Sequence, residues 1–302
     1  MEKKETMPVA PFLKSKETTA VIMWDVLIAL MPAALFGVYR FGFRAFLILL
    51  LSVTSCVLAE HIYKKLRKIP MQGYEGSAIV TGVIFAMVLP PETPLWFPVA
   101  GGAVTIVIVK MLWGGLGKNL FNPAAAGKVL FLVLTGFVMK NVTVSYPDAW
   151  TYSSLFDMFF GFGDGLIGSV SPFLLLLGGL YLVFCRVISL RIPVTYLLSF
   201  AVILLLFGDY GFDFEWLAKQ LCGGGVLLGA FFMAVDYTTS PITKTGKIVF
   251  GVIVGTTTGV LRVCGYTAGD VVYAVLFGNL LVPLVEKVTV PRFFGKGEKA
   301  NL

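Results

Sequence analysis

Leu112–Phe121 reads LWGGLGKNLF, and from Phe121 the chain continues as FNPAAAGK. Long apolar runs flank the stretch on both sides. Backbone that leaves a helix at membrane depth needs protein or a polar cavity to satisfy its N–H and C=O groups. The stretch therefore reads as a break between two spans. It is not a P-loop, because no GKS or GKT follows at the required spacing. The motif alone leaves two readings open, a tight turn and a ligand site.

The rest of the chain fits a membrane setting. Of 302 residues, 57% are hydrophobic and 14% charged, whereas a soluble domain carries roughly 25% charged residues. Apolar runs approaching the ~20 residues that cross a ~30 Å hydrocarbon core recur along its length. The net charge of +7 sits beside the ends of these runs. It reads as topology rather than as a nucleic-acid surface, so the expected surroundings are membrane lipid and no nucleic acid. The four cysteines, Cys56, Cys185, Cys222 and Cys264, form no CxxC pair. They read first as small buried hydrophobes, with an iron–sulfur site shared with other subunits as the lesser reading. The N-terminus lacks the apolar stretch of a cleavable signal peptide.

The expected fold is an all-α polytopic membrane protein with about ten transmembrane helices, in two inverted five-helix repeats with broken helices. The spans of the first repeat are Ala20–Tyr39, Ala45–Ile62, Ser77–Leu89, Leu95–Leu112 and Ala124–Met139. Those of the second are Pro172–Val187, Pro193–Phe207, Leu217–Val235, Ile248–Val263 and Val271–Val285. The chain divides into residues 1–139, an N-terminal segment and the first repeat; 140–171, an outward loop; and 172–302, the second repeat and tail. Basic residues set the orientation. With both termini cytoplasmic, the cluster His61–Lys68, Lys110, Lys118, Lys244 and Lys247 lie inside, while Arg40, Arg44, Lys140 and Arg262 remain outside. An odd number of spans per half gives the halves opposite orientation. The halves also match in sequence. When SAIVTGVIFAMVLPPETP from Ser77 is laid on GGVLLGAFFMAVDYTTSP from Gly224, Gly82 meets Gly229, Phe85 meets Phe232 and Pro94 meets Pro241. FNPAAAGKVL and FGNLLVPLVEKV form a weaker second match.

LPPETP, GGLGKNLFNP and DYTTSPITKTG mark the breaks. Pro123 after Asn122 starts a helix whose N-terminal donors suit an anion, a carbonyl or a flavin edge. Asp25 and Asp236 lie in or beside apolar runs, where acidic groups are costly and are functional or paired. Both are ion-path candidates, and capping a helix end is an equal reading for Asp236. No residue is assigned a catalytic role and no metal site is expected.

Three segments carry a family resemblance. Val83–Trp96 (VIFAMVLPPETPLW), Gly114–Lys128 (GGLGKNLFNPAAAGK) and Ala234–Lys247 (AVDYTTSPITKTGK) closely resemble the RnfD family. This is the D membrane subunit of the Rnf ion-translocating ferredoxin:NAD oxidoreductase complex. It is homologous to the B subunit of the sodium-pumping NADH:quinone oxidoreductase. The resemblance covers nearly the whole chain, and the short N-terminus favours the Rnf type.

The resemblance implies an electron-transfer subunit in a prokaryotic cytoplasmic (inner) membrane, with an inverted-repeat fold similar to that of urea transporters. Its implied partners are the other membrane subunits and the flavin and iron–sulfur subunits of the complex. Implied cofactors are FMN, esterified to a threonine of an outward-facing S/T-G-A-T motif, and riboflavin as a second flavin. Here the run is Asp148-Ala149-Trp150-Thr151-Tyr152-Ser153-Ser154. Tyr152 replaces the glycine and Ser154 the acceptor threonine, so covalent FMN at Ser154, non-covalent flavin and loss of this flavin stay open. On this reading Asn119 and Asn122 hydrogen-bond flavin edges and Lys118 stabilises a reduced, anionic flavin. NAD chemistry belongs to other subunits, since no GxGxxG opens a helix after a strand. Two rivals remain: a solute channel or transporter on the same scaffold, and a structural subunit without flavin.

Overall fold

The computed structural model describes residues 18–69, 76–135, 154–163, 165–208, 211–266 and 269–290. Among them the regular structure is entirely helical. In the first half, α1 (Thr19–Phe41) and α2 (Phe43–Leu66) are joined at Gly42, whose φ of +73 is left-handed. α3 (Ser77–Met87) follows. α4 (Trp96–Val104) runs directly into a π-helical stretch, Thr105–Met111. α5 (Pro123–Thr135) completes the half.

A short α6 (Leu155–Phe160) leads to the second half. This contains α7 (Pro172–Phe184), α8 (Arg191–Phe207) and α9 (Phe214–Cys222). α10 (Val226–Leu228) continues as a π-helical stretch, Gly229–Met233. α11 (Lys244–Val263) and α12 (Asp270–Thr289) close the chain.

Each apolar run read from the sequence is helical, but the runs are not equal. α1, α2, α11 and α12 have 23, 24, 20 and 20 residues and are long and apolar enough to cross a membrane. α9 and the α10 segment are together long and apolar enough to cross, but are bent by 60° at the break between them. The others are shorter. The 11 residues of α3 rise only ~16 Å at about 1.5 Å per residue, roughly half a ~30 Å hydrocarbon core. The protein is a multi-pass membrane protein whose central helices are short and broken.

The burial pattern shows why these two segments are central. Every residue of Val226–Met233 is buried, and so is every residue of α3 except Ile79. A helix apolar on all sides belongs inside a protein. Both helices start from a left-handed glycine, Gly76 at φ +70 and Gly225 at φ +77. α1 packs on α7 and α5 on α12, joining the halves. Within the second half α8 and α11 approach closely along Gly251, Gly255 and Gly259. Ideal Cβ atoms there would lie 2.9, 2.2 and 3.4 Å from the carbonyl oxygens of Ile192, Tyr196 and Phe200. Small residues at this spacing let helix backbones meet without a solvent-driven hydrophobic force.

The broken ends leave carbonyls at membrane depth, and each has a partner. At the end of α3, Met87 O accepts from Gly168 N–H (3.0 Å) and Leu89 O from Ile167 N–H (3.1 Å). Val88 O accepts from Lys128 Nζ (2.8 Å). The described part of the expected 140–171 loop is therefore built into the fold, with Ile167 fully buried. At the other broken helix, Met233 O accepts from Asn122 Nδ2 (3.1 Å). This is how non-helical backbone is tolerated in a membrane protein.

Candidate functional site

The Leu112–Phe121 stretch is a tight turn beside a cavity. Gly114, Gly115 and Gly117 have φ of +109, +87 and +86, a conformation that costs glycine little and other residues much. Gly114 N–H donates to Met111 O (3.2 Å) and Gly115 N–H to Lys110 O (3.1 Å). The turn also delivers Asn119, 6% exposed, into a cavity between the two central helices.

This cavity is partly open and has room of about 80 Å³ for water-sized bodies. Its apolar wall includes Val80 and Ile84 of α3 and Phe231 and Phe232 of the α10 segment. Its polar wall is Ser77, Thr81, Lys110, Asn119, Asn122 and Asp236. A mostly apolar wall with a few convergent polar groups is the usual make-up of a small-molecule site.

The polar groups differ in how far they are engaged. Asn122 caps α5: its Oδ1 accepts from Ala125 N–H (3.2 Å), while Nδ2 is bound to Met233 O. The helix N-terminus expected to face a ligand is thus partly satisfied by its own cap. Asp236 holds the turn after the α10 segment, accepting from Thr238 N–H (3.3 Å), Thr238 Oγ1 (3.2 Å) and Thr239 Oγ1 (3.5 Å). Lys110 is 1% exposed and donates to Glu60 Oε2 (2.8 Å) and Ser77 Oγ (2.7 Å). Asn119 is the exception. Its Oδ1 is buried and has no hydrogen-bond partner among the described residues. A buried acceptor left open costs about 1–3 kcal/mol, which a ligand donor would recover.

The family is legible at this point, because the three segments that form the turn, the broken α3 and the Asp236 loop all meet at one cavity. The chain belongs to the NQR2, RnfD, RnfE family. The family model matches residues 6–295. The chain is 37% identical to the D subunit of the Na⁺-translocating ferredoxin:NAD⁺ oxidoreductase complex of Acetobacterium woodii, over 96% of this chain and 95% of that one. It is 34% identical to the D subunit of the proton-translocating ferredoxin:NAD⁺ oxidoreductase complex of Clostridium ljungdahlii, over 96% of each. It is 32% identical to the D subunit of the ion-translocating oxidoreductase complex of Methanosarcina acetivorans, over 96% of this chain and 97% of that one.

The family fold brings Asn119, Asn122 and Asp236 together at the cavity. Lys118 is exposed and lies outside its wall, folded back over Gly114. Asp25 accepts from Tyr181 Oη (3.1 Å) one helix face away, while its neighbours Met23 and Val26 line the cavity. Ser154 is exposed, at the start of α6, and its side chain makes no capping bond. The preceding motif residues 148–153 lie outside the described residues.

Lys110 and Arg262, read from the sequence only as orientation charges, are buried. Lys110 is paired inside the fold, and Arg262 is 6% exposed with Asp270 Oδ2 2.5 Å from Nη2. Each buried cation ends its half's fourth span and sits over the start of the third, Lys110 on Ser77 and Arg262 against Gly224. Lys110, Lys128, Asp270 and Asn279 escaped the site reading. Each is a polar or charged residue within or at the edge of an apolar run, and that was the available signal. Arg40 and Arg44 bind the carbonyls of Phe162 and of Glu92 and Thr93. They fasten loops there. The described cysteines are free, and no metal-binding group of His, Cys, Asp or Glu occurs among the described residues.

Proposed function

We propose that the chain is the D membrane subunit of an ion-translocating ferredoxin:NAD oxidoreductase complex, and that it relays electrons through flavin. The observation that carries the flavin reading is the buried, unpartnered Oδ1 of Asn119 in the partly open cavity between the broken helices. The isoalloxazine ring has one N–H donor edge flanked by carbonyl acceptors, and its body is apolar. Asn119 would accept from that edge, and Phe231, Phe232 and Ile84 would hold the ring and exclude water. The one lysine on the wall is already engaged by Glu60 and Ser77, and Asp236 is acidic. This favours a flavin without a phosphate, riboflavin, over FMN. Ser154, with an exposed hydroxyl outside this cavity, is the place for FMN held by a phosphoester. Bound flavin supplies one- and two-electron chemistry, and the protein supplies orientation and electrostatics.

Other parts of the proposal follow from relatives of similar closeness, some named for Na⁺ and some for protons. The complex moves one of these ions, with Asp236 and Asp25 on the path. The partners are the other subunits of the complex, including its flavin and iron–sulfur subunits, and lipid. The membrane is the prokaryotic cytoplasmic membrane, with both termini cytoplasmic.

The test is denaturing electrophoresis of the purified chain under ultraviolet light, with intact mass and analysis of released flavin. Riboflavin released on denaturation, and reduced by Asn119→Leu, supports the cavity. A fluorescent band with one added FMN mass, lost in Ser154→Ala, supports the ester. A dark band with no released flavin overturns the relay and returns the transporter and structural readings.

A further inference from the structure

A second cavity lies across the crossing of the central helices. It is small, with room of about 10 Å³ for a water-sized body, and its wall includes Val88 at the end of α3 and Gly224 and Gly225 at the start of α10. Two charged side chains face it, one from each half: Lys128 of α5 and Asp270 of α12. They are 4% and 1% exposed. Lys128 Nζ donates to Val88 O at 2.8 Å. Asp270 Oδ2 accepts from Arg262 Nε at 2.6 Å and Oδ1 from Val271 N–H at 2.7 Å. Arg262 is held in turn by Gln220 O (2.8 Å) and lies over the Phe200 ring at 5.0 Å.

The cavity gathers charge of both signs. Among the described residues two cations, Lys128 and Arg262, meet one anion, Asp270, in the protein interior. Charge at such depth is retained for a purpose far more often than not. Arginine does not give up its proton in proteins, and lysine is the member of the set that can. The oxygens here, a carboxylate and a carbonyl released by the broken helix, are of the kind that replace a monovalent cation's hydration shell.

We infer that Lys128 and Asp270 form a station where a monovalent cation exchanges with a proton. As the cation enters, the Lys128 ammonium releases one proton, breaking one N–H bond, and the neutral amine remains. As the cation leaves, the proton returns. The net charge of the cavity is the same before and after, whereas a cation added beside charged Lys128 would raise it by one. Arg262 and Asp270 are the other charged groups facing the exchange among the described residues; the rest of the wall is apolar or glycine. The inference rests on the proposed ion-moving complex.

The experiment uses the purified whole complex, freed of sodium and weakly buffered. NaCl is added, with choline chloride as control, and proton release is followed with a pH dye. About one proton per complex is expected in the wild type. None is expected in Lys128→Gln, which keeps a donor for Val88 O, or in Lys128→Arg, which keeps the charge. Flavin content and electron transfer from ferredoxin to NAD in detergent serve as assembly controls. Release in either Lys128 variant equal to wild type overturns the station, since a purely structural lysine predicts that result. Binding of ²²Na⁺ to the wild type provides an arm independent of the Lys128 variants. Its affinity should fall about tenfold per unit of acidification in the range where release is seen, and a pH-independent affinity overturns the proposal. A complex with no ferredoxin:NAD activity fails the earlier reading instead.

Discussion

The backbone N–H of Asn122 donates to the side-chain oxygen of Asn279 at 2.9 Å, and the Asn279 amide nitrogen donates to Thr239 O at 3.1 Å and Val275 O at 3.2 Å. Asn279 is fully buried. One amide therefore joins the first helix turn of α5, the loop after the α10 segment and α12. Asn279→Leu leaves the Asn122 N–H and Thr239 O without these partners. Each such loss costs about 1–3 kcal/mol. The expected outcome is a lower midpoint of thermal unfolding and weaker retention of non-covalent flavin together. An unchanged midpoint would show that the amide does not join these elements.

Of the three glycines Gly255 meets the α8 backbone most closely, its ideal Cβ lying 2.2 Å from Tyr196 O. Gly255→Leu should prevent the contact and abolish accumulation of the folded subunit, while Gly265→Ala, at a position with open space around it but φ +84, should cost only about 1 kcal/mol. Comparing membrane levels and detergent stability of the two variants checks the ladder. Equal levels would show that α8 and α11 do not pack along these glycines.

Glu60 binds both Lys110 (2.8 Å) and Lys64 (2.6 Å), whereas the carboxylate that Lys110 meets is that of Glu60. Removing the two ends is therefore unequal. Lys110→Met leaves Glu60 with Lys64, but Glu60→Gln leaves a buried ammonium without its counter-charge, at about 3–5 kcal/mol. Thermal unfolding should place Glu60→Gln well below Lys110→Met, and the double variant should recover most of the difference. The reverse order would show that Lys110 is stabilised by something other than Glu60.

Asp236 shares the Asn119 cavity but spends its oxygens on Thr238 and Thr239. Asp236→Asn keeps one acceptor oxygen for that turn and removes the charge. Ion uptake by proteoliposomes should fall at least tenfold while flavin content stays at wild-type level. Normal uptake would take Asp236 off the ion path.

The helical runs and the pairing of α3 with the α10 segment were legible because apolar length and the shared Thr/Ser-Pro turn are local signals. Asn119, Asn122 and Asp236, which the fold gathers at one cavity, stand out in the sequence because they interrupt apolar runs beside glycine or proline. Lys110 and Arg262 were read only as orientation charges. Their partners Glu60, fifty positions away, and Gln220, forty-two away, meet them only after helices pack, and Asp270 reaches Arg262 across the turn between α11 and α12. Lys128 is marked locally only by its charge in an apolar run; the carbonyl it binds is freed where α3 breaks, forty residues earlier.

The bond from Asn122 Nδ2 to Met233 O spans 111 residues. During synthesis α5 leaves the ribosome long before its partner exists. Its asparagine must wait in the insertion machinery, or against water and lipid headgroups, until the second half arrives. The two halves can enter the membrane in sequence, yet they mature only as a pair, so a truncation after the first half should be cleared by membrane quality-control proteases rather than persist as a stable half-protein.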